Sequence, residues 1–159
     1  MSKAHVITVS DGVSAGSRVD GSGRALVRLL TDAEFEVTGP EVVPDDKQRI
    51  SDAIVAAASG GSDLVVTTGG TGLGPRDVTP QATSAVIELE VPGLGETMRR
   101  AGAASTPMAA LSRSMAGVRG STLIVNVPGS MKGATESLES ILPVLPHAIR
   151  LLHGQTSHD

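Results

Sequence analysis

Apolar positions along this chain follow two alternating periods. His5–Ser10 is a short continuous apolar run, which predicts a central parallel strand that ends in the polar turn Ser10-Asp11-Gly12. Val13 to Gly23 is polar and rich in glycine, with ordered punctuation. Leu26, Leu29, Leu30 and Ala33 then recur at i, i+3, i+4 and i+7, predicting a helix. Phe35 to Val43 reads as a second strand, and Gly39-Pro40 inside it marks a bulge or a sheet edge. Asp45 with Gln48 three residues on has the character of a capping box. The helix behind it puts Ile50, Ala53, Ile54, Ala57 and Ala58 on one stripe and stops at Ser59-Gly60-Gly61. Leu64–Thr68 is a β-branched strand that breaks abruptly at Gly69.

The second half keeps the alternation with one change. Thr79 before Pro80 predicts an N-cap and a first helical residue. Val91-Pro92-Gly93 interrupts the chain. Leu94 to Ala104 predicts a helix with Met98 and Ala101 inward and Arg99 and Arg100 outward. Ala109 to Arg119 fits neither period cleanly. Gly120-Ser121 before Thr122–Val127 fits a type II′ turn and predicts an antiparallel hairpin at one sheet edge. Pro128-Gly129-Ser130 opens a helix whose buried face is Leu138, Ile141 and Leu142. Pro143 restarts a helix through Leu145, Ala148, Ile149 and Leu152, and Gly154 to Asp159 reads as a frayed tail. The expected fold is α/β, a three-layer αβα sandwich with a mostly parallel sheet and one antiparallel edge hairpin, in one domain over residues 1–159.

Composition narrows the chemistry. A chain of 159 residues can bury roughly 68–70% of its extended surface. The aromatics reduce to Phe35, so the core is built from Val, Ile, Leu, Ala and Met. The net charge of -4, with no Lys/Arg block, argues against a nucleic-acid role. The absence of Cys excludes disulfides and thiolate chemistry. Neither a signal-peptide apolar region nor a run of membrane-spanning length is present, so the reading is a cytoplasmic protein without membrane contact.

Three strand ends carry small polar turns: Ser10-Asp11-Gly12, Gly69 through Gly70 and Thr71 to Gly72, and Pro128-Gly129-Ser130. As parallel neighbours they would meet at one edge. Glycine amides followed by a helix start suit an anion, usually phosphate. The loop is neither a P-loop, because Pro75 follows Gly74 where Lys is required, nor a dinucleotide fingerprint, whose third glycine would fall on Pro75. Asp45 and Asp77 lie in loops that can reach the same edge. Carboxylates beside phosphate repel it unless a cation such as Mg²⁺ intervenes. Plainer readings stand beside these. Asp45 also reads as a helix cap, Asp77 as an Asx-turn residue, Ser130 as an N-cap and Arg76 as an exposed charge. His5 reads as a packed strand-start residue, and His147, His153 and His158 as surface residues without metal-ligand spacing.

The motifs S-D-G at Ser10, P-D-D at Pro44, G-G-T-G at Gly69, R-D-V-T-P at Arg76, V-P-G-L-G-E at Val91, L-S-R at Leu111, A-G-V-R at Ala116 and N-V-P-G-S at Asn126 occur in order over nearly the whole chain. Together they resemble the molybdopterin adenylyltransferases of molybdenum-cofactor biosynthesis, the MogA/MoaB type and the gephyrin G-domain. The resemblance implies transfer of AMP from Mg-ATP to molybdopterin with release of pyrophosphate. It makes Asp45 and Asp77 the functional carboxylates and candidate Mg²⁺ ligands. It places substrate and nucleotide contacts at Ser10, Asp11, Gly12, Thr68, Gly69, Gly70, Thr71, Gly72, Arg76, Ser112, Pro128, Gly129 and Ser130. It further implies a homo-oligomer, a trimer or a hexamer, and a transient contact with the molybdenum-insertion protein. Two departures stand out: Gly74-Pro75 where some relatives carry an extra Arg, and Met131 where many have Pro. The reading from another class is a non-catalytic molybdopterin-binding or scaffold paralogue. The retained aspartates favour the enzyme.

Overall fold

Strands buried on both faces set the layers. β1 (Lys3–Val9), β2 (Glu36–Val43), β3 (Leu64–Thr68), β4 (Leu89–Glu90), β5 (Ala116–Arg119) and β6 (Thr122–Val127) form one sheet in the order β2-β1-β3-β6-β5-β4. The structure is a computed structural model and describes residues 1–156. β2, β1, β3 and β6 run parallel, β5 is antiparallel to β6, and β4 to β5. In β3 and β6 the side chains alternate between two cores. Leu64, Val66, Leu123, Val125 and Val127 enter one; Val65 and Ile124 enter the other. This is why the central strands read as continuous apolar runs.

The first core is closed by α2 (Gly21–Asp32), α5 (Pro92–Ala103), α6 (Met131–Ile141) and α7 (Leu145–Leu152), through Leu26, Leu30, Met98, Leu138, Ile141 and Leu145. The second is closed by α3 (Lys47–Ser59) and α4 (Thr79–Ser84), through Ile50, Ala53, Ile54 and Ala82. The short α1 (Asp11–Ser14) and the 3-10 turns Pro107–Leu111 and Leu142–Val144 complete the chain. The expected three-layer arrangement is therefore present, as is the hairpin. Gly120 takes φ +59 while Ser121 stays at negative φ, as a type II′ turn requires. The Gly39-Pro40 interruption lies on the edge strand β2, opposite a register shift between His5 and Ile7.

Local readings needed correction in several places. The cap of α3 is Asp46, whose carboxylate accepts from the Arg49 amide at 2.9 Å. Asp45, one residue earlier, is thereby released from a capping role. Thr79 is the first residue of α4 and not its cap; its hydroxyl donates to Gly69 O at 2.9 Å instead. β4 was missed because two residues cannot show a period. Arg99 turns inward, donating to Ser114 O at 2.7 Å, because the 112–114 segment presents its carbonyls to this face of α5. His5 sits mid-strand, bonded to Thr38 and Glu41 of β2. His153 is bonded to Asp63 at 2.8 Å and ties the end of α7 to the start of β3. The expected fraying of the tail and the surface reading of His158 fall, from residue 157 onward, outside the described residues.

Candidate functional site

The C-terminal ends of β1, β3 and β6 lie side by side, so Ser10, Gly69 and Pro128 meet at one edge. The chain leaves β1 toward β2 but leaves β3 toward the β6 side, which makes this crevice the point where connections diverge. Gly69 takes φ +109 and Gly70 φ +69. A Cβ on Gly69 would lie 2.2 Å from Val9 O, so only glycine lets the loop pass this close to β1. The carbonyls of the loop are all engaged. Gly69 O accepts from Thr79 Oγ1, Gly70 O from the Thr79 amide, Thr71 O from the Arg113 amide, and Gly72 O from Arg113 Nε. The amides of Gly70, Thr71, Gly72 and Leu73 donate to no acceptor among the described residues. Four open donors in succession are what an anion-binding loop offers.

Two cavities flank this loop. One, of about 570 Å³, is lined by Thr71, Gly72 and Leu73 and is largely apolar elsewhere, with Met98, Met108 and Leu111 in its wall. The other, of about 520 Å³, is polar and lined by Ser10, Arg18, Asp20, Asp45 and Thr68 among others. Gly70, Asp77, Gly129 and Ser130 line both. Thr68 Oγ1 donates to Pro128 O at 2.8 Å and locks the two turns together.

Each candidate carboxylate gives one oxygen to a backbone amide and keeps the other without a hydrogen-bond partner among the described residues. Asp45 Oδ2 accepts from the Asp11 amide at 2.9 Å, and Asp77 Oδ2 from the Gly74 amide at 2.9 Å. Burial pushes the Asp45 carboxyl above its ordinary range. The Asp11 amide pulls it back, and the charges of Asp11 and Asp77 push it up further. Among the described residues no third acidic or His side chain joins them in a metal-binding cluster. Two hard oxygen donors beside an anion loop suit Mg²⁺, which keeps waters and phosphate oxygens as its other ligands. The residues present therefore fit that ion.

Of the predicted site residues, Ser10, Asp45, Thr68, Gly69, Gly70, Thr71, Gly72, Asp77, Ser112, Pro128, Gly129 and Ser130 line one cavity or both. Ser10 and Ser130 also act as N-caps, accepting from the Val13 and Gly133 amides. Asp11, Gly12 and Arg76 line neither. Arg76 Nε donates to Asp11 Oδ2 at 2.7 Å, and its NH2 donates to Asp11 Oδ1 and Asp45 O. That bidentate pair holds the Asp11 carboxyl below its ordinary range. It turns Asp11 into a brace for Asp45, whose amide also donates to Asp11 Oδ1 at 3.0 Å. The Gly12 carbonyl accepts from the Ser17 and Arg18 amides, and the Arg18 side chain packs against it.

Two residues were not among the candidate site residues read from sequence. Asp20, 8% exposed, caps α2 through the Gly23 amide and accepts from Thr8 Oγ1 at 2.7 Å in the wall of the polar cavity. Its signal was present, an aspartate before Gly21-Ser22-Gly23. Arg113 reaches residues more than thirty positions away, and no local pattern announces that.

The family described as a probable molybdopterin binding domain matches residues 5–147. The chain is 39% identical over 155 residues to the molybdopterin adenylyltransferase of Helicobacter pylori strain J99, covering 94% of this chain and 86% of that one. It is 41% identical over 151 residues to the molybdenum cofactor biosynthesis bifunctional protein of Synechococcus elongatus. That match covers 95% of this chain but 47% of the relative, so the chain spans about half of that protein. The crystal structure of the molybdopterin biosynthesis enzyme MoaB from Thermus thermophilus superposes with a TM-score of 0.90 at 52% identity, over 97% of this chain and 98% of that one.

Proposed function

The chain belongs to the molybdopterin-binding family of molybdenum-cofactor biosynthesis, and from that premise we propose that it adenylates molybdopterin. A terminal phosphate oxygen of molybdopterin attacks the α-phosphorus of ATP. The bond from that phosphorus to the bridging oxygen breaks, and pyrophosphate leaves with the electron pair. The nucleophile is already an anion, so no strong general base is needed. The protein's task is to hold two anions in line and to place donors where charge gathers.

The observation that carries this reading is the run of open amides from Gly70 to Leu73 between two cavities, one apolar and one polar. Asp45 and Asp77 would hold Mg²⁺, which when bound neutralises charge on the departing pyrophosphate. No tyrosine or tryptophan exists to stack the adenine, so aliphatic and backbone surfaces must hold it.

Wild-type protein with molybdopterin and Mg-ATP is expected to release one pyrophosphate per molybdopterin consumed. Release that does not depend on molybdopterin, or no release, would defeat the reading. Tight molybdopterin binding without release would identify the non-catalytic paralogue. The same reading includes a homotrimer. Val144 and Leu151 of the C-terminal segment are 50% and 40% exposed, surface that further copies would cover. Sedimentation equilibrium at micromolar concentration is expected to give three chain masses, and a monomer mass rejects this part. No helix among the described residues is long and apolar enough to cross a membrane; a cytoplasmic location is part of the proposal, and fractionation of cells that express the chain tests it.

A further inference from the structure

Arg113 belongs to no strand or helix, lying between the 3-10 turn Pro107–Leu111 and β5. It nevertheless makes four hydrogen bonds into the site. Its amide donates to Thr71 O at 2.9 Å, Nε to Gly72 O at 2.9 Å, NH2 to Asp77 O at 2.7 Å and NH1 to Gln81 Oε1 at 3.0 Å. All four acceptors are neutral, and among the described residues no carboxylate forms an ion pair with this half-buried guanidinium. Its charge is therefore uncompensated by any described side chain in contact with it.

The acceptors matter as much as the donor. Thr71 O belongs to the peptide that carries the Gly72 amide, and Gly72 O to the peptide that carries the Leu73 amide. Both amides are open. The guanidinium on Gly72 O polarises that peptide and makes the Leu73 N–H a stronger donor, while Thr71 O is held by the neutral Arg113 amide, which fixes the peptide that carries the Gly72 N–H. The Asp77 carbonyl, fixed by the same fork, sets the backbone from which the Asp77 carboxylate projects.

We propose that Arg113 is the positioning residue of this site: its guanidinium holds the glycine loop and Asp77 in one fixed relation, and its unneutralised charge lies behind the amides that take the nucleotide's phosphates. The proposal rests on the adenylation reading for its kinetic consequences but not for its binding consequence. Lysine offers a point charge on a flexible stem and cannot serve three diverging acceptors from one plane. Charge and fork are thus separable.

The test uses the full chain, with inorganic pyrophosphate as the binding probe in calorimetry and steady-state adenylation beside it. Arg113→Met removes both properties and is expected to weaken pyrophosphate binding by roughly 30-fold or more and to lower kcat/KM for Mg-ATP at least as far. Arg113→Lys keeps the charge and loses the fork. It is expected to bind pyrophosphate within about 5-fold of wild type while kcat falls by about 10-fold or more. A merely structural residue would lower the melting temperature and scale activity with the folded fraction, leaving KM and pyrophosphate affinity unchanged. That result overturns the proposal, as does wild-type affinity in Arg113→Met or wild-type kcat in Arg113→Lys. Failure of both variants to fold would also overturn it, by showing that the side chain holds the fold. A wild-type protein that does not adenylate, together with a weakened Arg113→Met, would reject the reaction and keep the positioning role.

Discussion

Asp77→Asn is expected to lower the adenylation rate by roughly 10²-fold or more and to leave the melting temperature almost unchanged. The local hydrogen bond survives the change. Asn Oδ1 can accept from the Gly74 amide as Asp77 Oδ2 does, so the 74–77 turn keeps its shape. What disappears is the negative charge of a residue that lines both cavities. Molybdopterin binding without ATP is expected to persist. Wild-type kinetics at saturating Mg-ATP would return Asp77 to the role of a turn residue.

Asp45→Asn makes the same point with the opposite sign in stability. Asn can still accept from the Asp11 amide, but burial no longer works against a charge. The folded pKa of Asp45 lies above the unfolded value. Ionising it therefore takes stability away as pH rises from the ordinary carboxylate range through the raised value. The variant is expected to melt at or above wild type, with the gap opening across that window and flat above it. Mg-nucleotide affinity runs the other way, because it needs the ionised carboxylate and weakens as pH falls. If both aspartates act on one ion, the double variant loses little more than either single one. Fully additive losses would separate their roles.

Gly69→Ala is expected to cost about 3–5 kcal/mol, through the φ of +109 and the collision of the new methyl with Val9 O. Neither β1 nor β3 can retreat, because Thr8 pairs with Thr68 and both strands are buried on two faces. For a chain of this length the melting temperature should fall by roughly 10 °C, at about 2–4 °C per kcal/mol. The residual folded protein should have lost its pyrophosphate affinity, since the loop amides would have shifted. Gly61→Ala is the control. It also has positive φ, +96, but nothing lies near its Cβ and it is far from the site, so only stability should fall. Wild-type melting and binding in the Gly69→Ala variant would mean that the close passage of the loop over β1 is not required.

The sequence by itself determined the layers, the hairpin and the edge where the turns meet. Leu64–Thr68 was legible to the residue because a strand buried on both faces must be apolar throughout and because glycine ends it. The hairpin was legible because Gly-Ser allows few turn geometries. The loop from Gly69 to Gly72 announced itself, since so many glycines in a row seldom serve structure alone. Capping was misread by one residue between Asp45 and Asp46, because two adjacent aspartates satisfy the same short-range rule. Tertiary position decided between them: Asp46 meets the Arg49 amide, while Asp45 meets Asp11, thirty-four residues away. Arg76 read either as an exposed charge or, by the resemblance, as a nucleotide contact; only the fold shows Asp11 within 2.7 Å of it. Arg113 stood in the L-S-R motif of the resemblance, but its role was not legible from a single cation in an irregular stretch. Its partners at Gly72 and Asp77 come near only after β3 and β6 have paired and the hairpin has folded back. Periodicity reports which face of an element is buried. It carries no information about which loops share an edge, and the charges of this site are placed by that edge.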